Sequence, residues 1–216
     1  HSLCARQCDR QRKFRPGFFA VAGESLRSWR RAIAAPMPLR QTRSIPKIWL
    51  MTDPRLGAGL LAAIQRLPFG SGVVFRHYHL DGNARKKLFG KVRRICARRG
   101  HMLLLASDPG LARNWKADGV HGRIARTHLL NSAPVHVLRE LAEALRGGAD
   151  MIFLSPLYET HSHPDVRGLG LHRFNQLARL ARPAKVIALG GMTRNRARSL
   201  DRRLVHGWAA IGAFGK

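Results

Sequence analysis

From Lys47 onward, short apolar runs recur with amphipathic stretches between most of them. The runs are Ile48–Met51, Val73–Phe75, Met102–Ala106, Gly119–His121, His128–Leu130, Met151–Leu154, Val186–Leu189 and Trp208–Ile211. The longest of them, such as MIFL and VIAL, are continuously apolar, as expected of parallel strands covered on both faces. Between them, Asn83–Arg99 reads as a basic amphipathic helix. Val135–Arg146 carries Leu138, Leu141 and Leu145 on one face, and Leu171–Ala181 presents Phe174, Leu177 and Leu180. Strands alternating with helices predict a parallel sheet, and eight runs in so short a chain predict a compact (β/α)8 barrel. Two places are thin. The six residues between His121 and His128 are too few for a helix, and only a few residues follow the eighth run. An open flavodoxin-like sheet is the alternative fold.

Residues 1–46 do not share this pattern. They are rich in Arg, poor in acids and punctuated by Pro16, Pro36, Pro38 and Pro46. The expectation is a basic, disordered extension over 1–46, ahead of a barrel over 47–216. A transit-type leader or a nucleic-acid arm has the same composition. The chain starts at His1, and a processed or truncated start is expected.

Charge changes the picture only in part. The 216 residues carry a formal net charge of +27, which favours anionic partners but says nothing of fold. Nucleic acid and phosphorylated metabolites are the two candidate anions. No RNP-like, KH-like or zinc-finger pattern is present, and no aromatic residues alternate with the basic runs. Arg far outnumbers Lys, so a compositional bias on solvated faces explains the charge equally well. Cys4, Cys8 and Cys96 cannot close a disulfide framework, and Cys4 and Cys8 lack partners at zinc spacing. No apolar run approaches a membrane span. A reduced, cytoplasmic protein is the expectation.

The candidate chemistry lies where strands end. GADMIFLSPLYETHSHP runs from a strand into a loop offering Ser155, Thr160, Ser162 and His163 as hydrogen-bond donors. VIALGGMT ends on Gly190 and Gly191, whose missing side chains let main-chain N–H groups approach a ligand. A helix starting at Thr193 would add its N-terminus to an anion site. Loops at the carboxyl ends of parallel strands are where barrels keep their active sites. Plainer readings stand beside these: Asp108 precedes Pro109 and could cap a helix, and Arg76 could pair with an acid at the barrel mouth.

In this order and spacing, the segments resemble the thiamine phosphate synthase/TenI superfamily. They are IWLMTD, VVFRHYHLDG, MLLLASD, ADGVH, SAPVHVLREL, GADMIFLSPLYETHSHPDVRGLG, VIALGGMT and GWAAIGAF. The resemblance implies coupling of hydroxymethylpyrimidine diphosphate to a thiazole phosphate, with Mg²⁺ and release of pyrophosphate. It implies that the thiazole phosphate sits on Gly190, Gly191 and the Gly212 turn. It makes Arg76 the diphosphate-contacting arginine and Asp108 the first Mg²⁺ carboxylate. The second carboxylate is missing, with Arg123 and Arg126 nearby instead. Tyr78 and His163 stand where the family has lysines. In the TenI branch a histidine at the position of His136 is the acid/base that aromatises the thiazole phosphate without a metal, a role suited to imidazole near neutrality.

The expected partner is therefore a phosphorylated small molecule, with a homodimer compatible with the fold. The expected function is a thiamine-pathway barrel enzyme, synthase-like but with an incomplete catalytic set. A metal-independent tautomerase or a phosphate-ligand binder is the alternative, and a nucleic-acid-associated protein the alternative of another class.

Overall fold

A computed structural model describes residues 44–123, 126–159, 168–212 and 214. The extension expected over 1–46 lies almost wholly outside them. Eight parallel strands close into a barrel in sequence order. They are β1 (Ile48–Met51), β2 (Gly72–Phe75), β3 (Met102–Leu105), β4 (Gly119–His121), β5 (Leu130–Val135), β6 (Met151–Leu154), β7 (Lys185–Ala188) and β8 (Gly207–Ala210). Closure comes from β1 lying against β8, with Leu50 opposite Ala210. The helices are α1 (Leu60–Arg66), α2 (Gly82–Arg98), α3 (Pro109–Asn114), α4 (Leu138–Arg146) and α5 (Gly170–Leu180). The open flavodoxin-like alternative is excluded by the closed strand order.

The core divides as a barrel requires. Trp49, Met51, Val74, Leu104, Met151, Phe153 and Ile187 belong to one buried cluster, the barrel interior. Alternate residues such as Leu50, Val73, Leu103, Ile152 and Val186 pack outward with the helices. Both faces of each strand are thus buried, which is why the strands read as unbroken apolar runs. Trp49 fills the interior at the strand starts. Its indole N–H donates to Pro46 O at 2.8 Å, and its ring meets Phe153 edge-on at 5.5 Å. Gly72 makes room for it: a Cβ there would stand 2.1 Å from Trp49 Cε3.

Three elements differ from the pattern expected above. The fifth strand is Leu130–Val135, not His128–Leu130, and α4 starts at Leu138 rather than Val135. The reason is that the barrel buries two polar residues there, Asn131 and Ser132, which interrupt the apolar run. Asn131 N–H is held by the Asp150 carboxylate at 2.7 Å, and Ser132 Oγ donates to Val120 O at 3.0 Å. No helix begins at Thr193. A four-residue 3-10 turn, Arg196–Ser199, follows instead, with Thr193 Oγ1 accepting from Arg196 N at 3.2 Å.

Candidate functional site

The C-terminal ends of the parallel strands open on the same end of the barrel, with polar side chains after most strands and glycines after β7 and β8. After β1 and β2, Thr52, Asp53, Arg76 and His77 form one hydrogen-bonded group. Arg76 donates from its main-chain N–H to Thr52 Oγ1 at 2.9 Å, from Nε to Thr52 O at 2.8 Å, and from Nη2 to Asp53 Oδ2 at 3.1 Å. Arg55 takes the other Asp53 oxygen at 2.7 Å. The hydrogen bonds from Arg55, with its charge and that of Arg76, outweigh burial and hold the Asp53 carboxyl at about 2. Thr52 Oγ1 also meets His77 Nδ1 at 3.0 Å, and the His77 ring stacks on Phe75 at 5.1 Å. Arg76 thus sits against an acid of the barrel mouth, the plainer of its two readings, yet remains a half-buried cation at the expected strand end.

Arg85 from α2 ties β2 to β3. It donates to Arg76 O at 3.0 Å and Ala106 O at 2.8 Å, and its guanidinium lies 5.3 Å from the ring centre of Tyr78. Tyr78 is exposed. Asp108 is exposed and caps α3: its Oδ1 accepts from Leu111 N at 2.9 Å. Among the described residues no group of three His, Cys, Asp or Glu is placed to hold a metal ion.

His121 closes β4. Ser132 Oγ spends its one proton on Val120 O, so at 2.9 Å it accepts from His121 Nδ1–H. Burial, aided by the Arg76 charge, pushes the imidazole down to about 3, so the ring is neutral. Its ring also meets Phe153 edge-on at 5.1 Å. Unfolded, a histidine titrates near 6.5. Between about 3 and 6.5 the unfolded chain therefore binds the extra proton, and acidification favours unfolding. Stability is expected to be fully present above pH 6.5 and to fall on the order of a few kcal/mol toward pH 3. Chemical denaturation across that range should show a shallower slope for His121→Asn; equal slopes would remove His121 as the cause.

After β5, His136 and α4 make a second polar group. The Glu140 carboxylate accepts at Oε2 from His136 N–H at 2.7 Å and meets His136 Nδ1 at 3.0 Å. Arg123, from the loop after β4, pairs with Oε1. Burial raises the Glu140 carboxyl, but the His136 hydrogen bonds and the charges of His136 and Arg123 outweigh it and hold the group below its ordinary value. The His136 side chain is 49% exposed, so its ring is open to a ligand.

The third group joins β6 and β7. Ser155 is buried at the strand end. Gly190 and Gly191 have φ of 95° and 61° and press on the loop after β6. Arg196 donates to Gly191 O at 2.6 Å, and its guanidinium lies 4.6 Å from the Tyr158 ring centre. Without a helix at Thr193, cationic side chains and main-chain amides are what this corner offers an anion. Gly212, after β8, is exposed, and among the described residues nothing lies within 4 Å of a Cβ added there. Thr160, Ser162 and His163 lie outside the described residues.

The barrel agrees with what known proteins show. The family described as thiamine monophosphate synthase matches residues 52–214. The chain belongs to that family. Its relatives include the thiamine-phosphate synthase of Salinibacter ruber, 31% identical over 193 residues, covering 82% of this chain and 84% of that one. A second is the "putative thiamine-phosphate synthase 2" of Aquifex aeolicus, 26% identical over 183 residues, covering 79% and 98%. Among solved structures, the thiamine phosphate pyrophosphorylase of Pyrococcus furiosus superposes with a TM-score of 0.66 at 22% identity, covering 79% of this chain and 88% of that one. The thiamine monophosphate synthase family places this chain in thiamine biosynthesis as a transferase-like enzyme. Among the described residues no helix is long and apolar enough to cross a membrane.

The sequence singles out Arg76, Asp108, His136, Ser155, Gly190, Gly191 and Gly212 among the described residues. Asp53 beside Arg76, Glu140 beside His136, Arg196 on Gly191 and the His121–Ser132 pair emerge from the structure. Glu140 was within reach: it stands in the first turn of α4, three residues after Val137, where a glutamate reaches back toward the chain entering the helix.

Proposed function

We propose that the chain is a thiamine phosphate synthase-like enzyme of thiamine biosynthesis that binds a thiazole phosphate at the C-terminal face of its barrel. The chemistry its described side chains are best arranged for is metal-independent proton transfer by His136. The observation carrying this reading is the contact of the Glu140 carboxylate, itself paired with Arg123, to the half-exposed His136 ring. The phosphate is supported by the glycine corner after β7, the Gly212 turn and the Arg196 cation, with Ser155 at the neighbouring strand end. Thr160, Ser162 and His163 enter this reading through the family resemblance alone.

His136 Nε2 takes a proton from one ligand atom and returns it to another, so the ligand is isomerised with no net loss of atoms. A proton shuttle of this kind contributes ~10²–10⁴ in rate. Arg76, fixed by Thr52 and Asp53, supplies positive charge where an anionic ligand approaches the mouth.

Mg²⁺ is the cofactor that the family resemblance implies, and the described donors do not fit it. Both Asp53 oxygens face guanidinium groups, and Glu140 is shared by Arg123 and His136. One Asp108 oxygen caps α3, and the other, with a weak contact from Ser107 Oγ at 3.4 Å, is the one open carboxylate oxygen of these three residues, too little to build an octahedral shell. Magnesium favours carboxylates free to join an octahedral shell, so no step is routed through it. Coupling with hydroxymethylpyrimidine diphosphate is the second reading, favoured by the names of the relatives.

Calorimetric titration with thiazole phosphate, with and without Mg²⁺ and pyrophosphate, tests the proposal. Binding indifferent to both additions is expected. Tightening by both would favour coupling, and absence of binding would overturn the thiazole phosphate reading.

A further inference from the structure

We propose that Glu140 is a positioning residue that sets the tautomer of His136, leaving Nε2 as the proton acceptor presented to the ligand. This rests on the reading of His136 as the proton shuttle. An ionised carboxylate accepts hydrogen bonds and donates none. Its Oε2 is already met by the His136 main-chain N–H at 2.7 Å. The His136 Nδ1 at 3.0 Å from that same oxygen must therefore carry a hydrogen. A neutral imidazole has one N–H, so the lone pair is on Nε2.

The carboxylate is itself held from its other side. Arg123 from the loop after β4 pairs with Oε1, and the Glu140 side chain is only 12% exposed. Three segments of chain thus converge on one anion: the loop after β4, the end of β5 and the first turn of α4. The remaining charged groups close by on α4 are Arg139 and Glu143, which face each other at 3.8 Å. When Nε2 takes a proton, the ring becomes a cation directly beside Glu140. The carboxylate stabilises that cation without receiving the proton, which returns from Nε2 to the ligand.

A plainer role competes. Glu140 is the third residue after Val137, which precedes α4 and makes no side-chain cap. A glutamate there commonly reaches back to a main-chain N–H and fixes the helix start. That role would require the bond to His136 N–H and nothing from the ring. The two roles predict different outcomes for the tautomer.

The test is nitrogen-labelled NMR of the intact protein at neutral pH, read at the ring nitrogens of His136. The wild type is expected to show Nδ1–H, and Glu140→Gln is expected to move the ring toward Nε2–H. In parallel, Glu140→Gln should lower kcat about tenfold or more with KM for thiazole phosphate nearly unchanged, the signature of an interaction lost in the transition state. A wild-type ring in the Nε2–H form overturns the proposal whether or not the variant folds. Wild-type kcat in Glu140→Gln, alongside an inactive His136→Ala, also overturns it while sparing His136. Full activity in His136→Ala sinks the proton-shuttle reading instead, and the tautomer result separates that failure from this one.

Discussion

His136→Ala is expected to lower turnover of the non-aromatic thiazole phosphate tautomer by about 10²–10⁴, the range that a positioned acid/base contributes. Binding of the ligand should change little, because the phosphate is assigned to the opposite side of the mouth, after β7 and β8. Stability should also hold. The ring is half exposed, and its main-chain N–H keeps its own bond to Glu140 Oε2 when the ring is gone. What the substitution removes is one proton acceptor and the partner of a carboxylate that Arg123 still neutralises. Single-turnover kinetics on the tautomeric substrate, read with calorimetric binding, would check both halves. A variant that turns over normally would move the chemistry to another group. His121 is the next imidazole along the rim, neutral, with Nδ1–H committed to Ser132.

The fold was largely legible because a closed parallel barrel buries both faces of each strand. The continuous runs at β2, β3, β6 and β7 follow directly from that condition. The fifth strand was misplaced where the same condition meets polar residues. Asn131 and Ser132 are buried: the Ser132 hydroxyl bonds to Val120 O, and Asp150 holds the Asn131 main-chain N–H, while among the described residues the Asn131 side-chain Oδ1 meets no hydrogen-bond partner. No local pattern announces such partners, since they lie on neighbouring strands. The site divides in the same way. His136, Arg76 and the glycine pair were legible from motif order. Asp53 and Arg123 were not legible as ion-pair partners, because closing the barrel is what brings Asp53 beside Arg76 and Arg123 beside Glu140. The expected helix at Thr193 failed for a local reason. Arg196–Ser199 makes only a 3-10 turn before the chain extends at Leu200.

Gly190→Ala is expected to destabilise the protein by roughly 2–4 kcal/mol, combining a strained backbone and an overpacked contact, each typically 1–3. At Gly190 φ is 95°, a conformation that an L side chain rarely adopts. An added Cβ would stand 2.6 Å from Pro156 Cα and 3.0 Å from Leu157 N. Those atoms cannot retreat freely. Leu157 N–H donates to Leu189 O at 2.9 Å, Tyr158 N–H to Gly190 O at 3.2 Å, and Leu169 N–H to Pro156 O at 2.8 Å. For a domain of this size the thermal midpoint should drop by roughly 5–15 °C. Glycine at this position is therefore demanded by packing, so loss of ligand binding in Gly190→Ala would not by itself reveal a phosphate site. Gly212 separates the two causes. Among the described residues nothing lies within 4 Å of a Cβ there, and the residue is exposed. Gly212→Ala should leave the thermal midpoint in place, as surface changes within about 0.5 kcal/mol do. If its turn cradles the phosphate through main-chain amides, the added methyl should weaken thiazole phosphate binding on its own. Unchanged affinity would take the ligand away from the β8 end.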